Sequence, residues 1–129
     1  MSDTPDRRRA IEISVETDFL AEQSDPESSR WFYAYTITIV NRTESTVQLL
    51  GRHWIITDAR GHVEEVRGPG VVGAQPVLEP GESFRYTSGC PLRTPFGMMH
   101  GSYQMVTTDG ERFDAPIDPF TLGEPDSVH

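Results

Sequence analysis

Glu65-Val66-Arg67-Gly68-Pro69-Gly70-Val71-Val72-Gly73-Ala74-Gln75-Pro76-Val77-Leu78-Glu79-Pro80-Gly81 is the stretch that separates two readings of this chain. Its glycines and prolines rule out a helix or a long strand, and strand-like patterns lie on both sides of it. It spells Gly68-x-Gly70-x-x-Gly73, the fingerprint with which a dinucleotide-binding unit holds pyrophosphate. In such a unit the glycines follow a strand and open a helix, whose first N–H groups receive the phosphates. Here Ala74-Gln75-Pro76-Val77-Leu78-Glu79-Pro80 follows, and two prolines at that spacing forbid a continuing helix. The fingerprint fails its context test, and no βαβ unit follows. What survives is a loop whose successive N–H groups form an anion nest, with Gly68, Gly70, Gly73 and Arg67 as its candidate residues. The simpler reading has the glycines supply positive φ or close packing where the loop crosses the end of a sandwich. Glu64, Glu65 and Glu79 repel an anion there, so nucleotides are expected to bind weakly or not at all.

Outward from this loop the pattern is period two. Ile11, Ile13, Val15 and Phe19 alternate with Glu12, Ser14, Glu16 and Asp18, as in a strand with one buried face. In Arg30 to Asn41, Tyr33, Tyr35, Ile37 and Ile39 share one face and Ala34, Thr36 and Thr38 the other. Val47 to Thr57 forms the next strand, with Gly51 marking a bulge. Asp58-Ala59-Arg60-Gly61 is a tight turn leading into a short, charged strand at His62 to Val66. Past the loop, Phe84 and Tyr86 alternate with Ser83, Arg85 and Thr87 up to Cys90. Pro91 to Gly97, with two prolines, reads as a second loop. Gly101 to Thr107 and Glu111 to Ile117 flank Asp109-Gly110, a hairpin signal.

Seven short strands with turn signals between them, and no helical stripe, predict an all-β, antiparallel sandwich, and two details favour the immunoglobulin-like class. Trp54 sits on the third strand, where such folds bury a tryptophan. Tyr103 opens the sixth strand, where a tyrosine corner sits, with Met105 in place of the usual cysteine. Trp54, Tyr35, Ile37, Phe84 and Met105 are the expected core. The chain divides into an arm at 1–9, one domain at 10–121 and a polar tail at 122–129.

The 129 residues suffice for one core, and the 36% hydrophobic fraction is adequate for a small β domain. No apolar run is long enough to span a bilayer. Arg7-Arg8-Arg9 is followed by alternating Ile11-Glu12-Ile13-Ser14 and not by an apolar segment, which argues against a secretion signal. The single cysteine, Cys90, allows no internal disulfide, so a cytoplasmic location is expected. A formal net charge of −9 disfavours nucleic acid and anionic lipid as generic partners.

Several stretches together resemble the bacterial ApaG proteins. They are Gln23-Ser24-Asp25-Pro26-Glu27, Phe32-Tyr33-Ala34-Tyr35-Thr36-Ile37-Thr38-Ile39, Arg52-His53-Trp54-Ile55-Ile56-Thr57-Asp58 and Glu65-Val66-Arg67-Gly68. To these are added Gly70-Val71-Val72-Gly73-x-Gln75-Pro76, Pro80-Gly81-Glu82-x-Phe84-x-Tyr86-Thr87-Ser88-Gly89 and Gly101-x-Tyr103-x-Met105-Val106. The resemblance runs from about Ile13 to Phe120. It implies a fibronectin type III-like sandwich and a stand-alone cytoplasmic protein. In eukaryotes it implies kinship with protein-binding domains of some F-box proteins and of a DNA-polymerase-delta-interacting protein. It also implies an association with cobalt resistance and magnesium efflux. Pro69 stands where the family often has an acidic residue, which weakens any role for that position as a metal ligand.

Four sets of residues carry possible chemistry besides the glycine loop. His62-x-Glu64, with Asp58 nearby, places ligand types on one strand face. A zinc or cobalt site needs three or four converging donors, and solvated residues at a hairpin are the simpler reading. His53, beside Trp54, reads as a structural or surface ring. Cys90 lacks the base and electropositive setting of a nucleophile. Phe96, Met98 and Met99, in the loop from Pro91 to His100, suit adaptable protein contacts or a cap on the core. The expectation is a non-enzymatic module that binds a protein partner, with no metal and no cofactor. A phosphate or nucleotide sensor acting through the Gly68 to Gly73 loop is the first alternative, and a role in cobalt or magnesium homeostasis is the second.

Overall fold

The computed structural model describes residues 10–123; the arm at 1–9 and positions 124–129 of the tail lie outside them. The strands are β1 (Ile11–Phe19), β2 (Trp31–Asn41), β3 (Val47–Asp58), β4 (Val63–Pro69), β5 (Val77–Leu78), β6 (Ser83–Leu92), β7 (Phe96–Thr107) and β8 (Arg112–Gly123). The described residues contain no α-helix, only two short 3-10 turns between β1 and β2, and no helix long and apolar enough to cross a membrane. One sheet has the order β1-β2-β6. The other runs β4-β3-β7-β8, with β5 pairing the start of β3. Every pairing is antiparallel. The fold is the all-β sandwich that period-two patterning predicts.

Strand β2 shows why the layers close. Tyr33, Tyr35, Ile37 and Ile39 are all buried, because alternate side chains of a pleated strand point to one face. Ile13 and Val15 of β1 stand opposite Ile39 and Ile37. On the other flank, Tyr86 of β6 stands opposite Ile37 and Cys90 opposite Tyr33. The second sheet contributes Leu49, Trp54, Met99, Tyr103, Met105, Ile117 and Leu122 to the same core. At its centre the Trp54 ring meets Tyr35 at 5.5 Å, Phe120 at 5.9 Å and Tyr103 at 6.2 Å, all edge-to-face, the arrangement that ring quadrupoles favour.

The bulge expected at Gly51 is present as a register break between Leu49 and Gly51. A second break lies between Met99 and Gly101. The hairpin at Asp109-Gly110 closes through the Gly110 N–H, which donates to the Thr107 carbonyl at 2.9 Å.

Four local expectations need correction. Pro91 is not in a loop: β6 continues to Leu92 and β7 starts at Phe96. A sheet-edge strand tolerates a residue without an N–H, and β6 is such an edge. Similarly, Gly68 and Pro69 belong to strand β4. Tyr103 does not form a tyrosine corner. Its hydroxyl shares a 2.6 Å hydrogen bond with the Tyr86 hydroxyl, which links the two sheets. Burial holds both phenols well above their ordinary range, so this link stays protonated. Phe84 is only half-buried, near the start of edge strand β6, whereas Trp54, Tyr35, Ile37 and Met105 are in the core.

Candidate functional site

The glycine stretch is an excursion between two strands that share the same edge of β3. β4 pairs β3 from Thr57 to Gly51, and β5 returns to pair Val47 and Gln48. Gly68 lies under the Arg52 side chain, and a Cβ there would sit 2.9 Å from Nη1. That Nη1 donates to the carbonyls of Pro69 and Gly70, both at 3.0 Å. Gly70 has φ +62°, and a Cβ on it would overlap the Ala74 carbonyl oxygen. Val71 and Ala74 exchange backbone hydrogen bonds at 2.9 and 2.8 Å. Between them Val72 and Gly73 have φ +42° and +82°, the pattern of a type I′ turn. The N–H of Gly70 donates to Leu50 at 2.8 Å. Three of the loop's N–H groups are therefore already donating to carbonyls. Arg67 lies on the opposite face of β4 from Gly68, with Nη2 3.8 Å from Glu65 Oε1. The structure thus brings Gly68 and Gly70 together around Arg52, sets Gly73 at a turn tip and turns Arg67 away.

This geometry separates two substitutions. Gly73→Ala meets open space and should cost only the left-handed backbone penalty, ~1–2 kcal/mol. Gly70→Ala adds overlap with a backbone carbonyl and should cost roughly 2–4 kcal/mol. Denaturant midpoints of the two variants should fall in that order; equal losses would mean that the Ala74 contact is relieved without cost.

His53 Nε2 lies 2.7 Å from Glu65 Oε1 on the outer face of the five-stranded sheet. Asp58 caps the β3–β4 turn: its Oδ1 accepts the N–H groups of Arg60 and His62, both at 2.9 Å. Partial desolvation acts to raise the Asp58 carboxyl. The two N–H groups, with the positive charges of His62 and Arg60, outweigh it and hold the group below its ordinary value. Among the described residues, no three His, Cys, Asp or Glu side chains converge as metal ligands would. Cys90 faces the core, and burial, followed by the Glu64 charge, pushes its thiol up to about 11. A nucleophilic cysteine requires the opposite shift.

The Phe96–Met99 segment is strand, so its residues part by alternation. Met99 is in the core, while Phe96 and Met98 are 43% and 44% exposed. Met98 stands opposite Thr57, which stands opposite Val63, itself 53% exposed. The outer face of the five-stranded sheet therefore carries an apolar group at this end, next to polar Glu65, His53 and Ser102 on the same face.

The open side of the sandwich, between β4 and β6, holds two recesses that sequence reading did not find. The smaller, about 230 Å³, reaches Tyr35, Arg52, Trp54 and Cys90. The Trp54 Nε1 is the one buried side-chain polar atom without a partner among the described residues. The larger, about 840 Å³, includes Arg30, Arg60 and Arg93 in its lining. No local motif marks these arginines, because each belongs to a different connection.

Two antiparallel sheets in this order around an aromatic centre define a fibronectin type III-like sandwich domain. A family model described as the ApaG domain matches residues 21–107. A Protein ApaG of Beijerinckia indica is 60% identical over 91% of this chain and 90% of its own length. A Protein ApaG of Pseudomonas syringae pv. tomato is 56% identical over 96% of this chain and 98% of its own. A solved Bordetella pertussis structure, assigned the name ApaA, superposes with a TM-score of 0.83 at 47% identity, covering 91% of this chain and 97% of that one. The chain belongs to the ApaG family.

Proposed function

We propose that the chain is a non-enzymatic module that binds a protein partner through the outer face of the five-stranded sheet, at Phe96, Met98 and Val63. The observation that carries this reading is the gathering of these exposed apolar side chains from β4 and β7 on either side of Thr57 of β3. Large apolar groups gathered on one face are a feature of contact surfaces, and methionine adapts to varied partner shapes. The raised Cys90 thiol supports a non-catalytic role. The test is capture from a lysate of the native cell by the immobilised domain. A Phe96→Ser/Met98→Ser variant should lose a defined partner by at least tenfold. Val77→Ser, which changes an exposed valine on β5, should retain it. Equal retention by all three proteins would remove this face from consideration.

A further inference from the structure

The larger recess is where three separate connections meet. The segment before β2 brings Arg30, the β3–β4 turn brings Arg60, and the link from β6 to β7 brings Arg93. All the basic side chains of this chain other than histidine are arginines, and four of the eight described ones are engaged. Arg42 pairs with Glu12 at 3.0 Å, Arg85 with Glu16 at 3.4 Å, and Arg67 approaches Glu65 at 3.8 Å. Arg52 donates to backbone carbonyls. Among the described residues, Arg30, Arg60 and Arg93 have no ion pair and no side-chain hydrogen bond. Of the others only Arg112 shares that state, and it stands alone on β8.

The connections that carry them are fixed. The buried Thr94 hydroxyl accepts the Ala59 N–H at 3.0 Å and donates to the Phe96 carbonyl at 2.7 Å, clamping the β3–β4 turn to the β6–β7 link. Asp25 and Arg30 exchange backbone hydrogen bonds at 2.7 and 3.0 Å, which closes the segment that presents Arg30. Two carboxylates, Asp58 and Glu64, share the lining. One Asp58 oxygen is already taken by the N–H groups of the turn. The guanidinium groups still outnumber the carboxylates, on a chain with net charge −9. The Asp58 carboxylate offsets part of the Arg60 charge, but like charges gathered in one cleft still repel one another, and an anion relieves that repulsion.

We infer that this cleft binds a small phosphate ester. Guanidinium forks bind carboxylate and phosphate alike. Three forks from three segments suit a group that offers oxygens in several directions, which is phosphate and not a planar carboxylate. The volume of about 840 Å³ falls in the usual range for small-molecule sites and exceeds what a bare phosphate fills. The smaller recess shares Ile56, Glu64 and Pro91 with it and adds Tyr35 and Trp54 to its lining, so an organic body has apolar side chains beside the arginines. A long polyanion would have to lie across the acidic surface beyond the cleft. A small one feels chiefly the arginines within a Debye length, about 8 Å at physiological salt. The site is separate from the glycine loop, which bonds Leu50; the run of β3 from Leu50 to Asp58 spans roughly 26 Å. It is independent of the partner surface proposed above.

The experiment is an amide NMR titration with phenyl phosphate, inorganic phosphate, benzoate and a short poly-uridine oligomer. Phenyl phosphate should saturate below ~1 mM, with shifts concentrated at 28–30, 58–64 and 91–94. Inorganic phosphate should move the same residues more weakly, and benzoate should bind at least tenfold more weakly than phenyl phosphate. Arg30→Gln and Arg93→Gln should each weaken phenyl phosphate several-fold, while Arg67→Gln and Arg112→Gln leave it unchanged. Using two separate exposed sites keeps the test decisive if one substitution disturbs folding. Failure to saturate, shifts centred on 68–75, or an equal loss in Arg112→Gln would overturn the site. Benzoate matching phenyl phosphate would overturn the phosphate assignment. Tighter binding of the oligomer at the same residues would overturn the small-ligand reading.

Discussion

Trp54→Ala is expected to lower stability by roughly 3–5 kcal/mol, the usual result of truncating a large core aromatic. The side chain is 2% exposed, and three rings, Tyr35, Tyr103 and Phe120, stand edge-on against it. Those rings come from both sheets, so the cavity left by alanine would lie between the layers, where collapse requires a sheet to shift. Trp54→Phe should lose distinctly less. It keeps a ring in place and removes an Nε1–H that has no acceptor, a buried donor whose desolvation opposes folding. Urea denaturation of both variants checks the pair. A loss below about 1 kcal/mol for Trp54→Ala would mean that the ring is not a core element.

Gly101→Ala should cost about 4 kcal/mol, near the upper end of single substitutions. Here φ is not the issue. An added Cβ would overlap the His53 carbonyl oxygen and lie 3.1 Å from the Trp54 Cα. Both belong to β3, the central strand paired with β7. Backbone cannot swing aside as a side-chain tip does, so relief requires breaking the β3–β7 ladder beside Trp54. Thermal unfolding of the variant, compared with Gly73→Ala, distinguishes this from the milder penalty of a turn glycine. A midpoint within a few degrees of wild type would show that the ladder yields readily.

The fold was legible because its core strands obey alternation. In β2, period two alone put Tyr33, Tyr35, Ile37 and Ile39 on one face, and all four are buried; Met105 was expected in the core from its place at the usual cysteine position of the sandwich. Gly51 announced its bulge, and Asp109-Gly110 its hairpin. Proline misled the reading at Pro91 and Pro69. The sequence does not state which strands lie at an edge, and only an edge accommodates a missing N–H. Met99 and Met98 looked alike until the strand assignment sent one inward and the other out. The arginine cleft left no local trace: Arg30, Arg60 and Arg93 are far apart in the chain and come together only where the segment before β2, the β3–β4 turn and the β6–β7 link meet. Tyr103 was placed correctly in its strand, but its hydroxyl partner, Tyr86, lies in the other sheet and no spacing rule reaches it.

The two prolines that ended strands too early on paper have a further consequence. β4 and β6 form the open side of the sandwich, where each leaves one flank of its backbone unpaired. Such flanks recruit further chains and seed fibrils. Pro69 and Pro91 have no N–H to lend to a strand laid alongside, and Glu64, Glu65 and Arg67 crowd the β4 flank with charge. A copy approaching this side would find an interrupted row of donors and a charged border. The domain can thus keep a recess open between its sheets without inviting self-assembly along the same side.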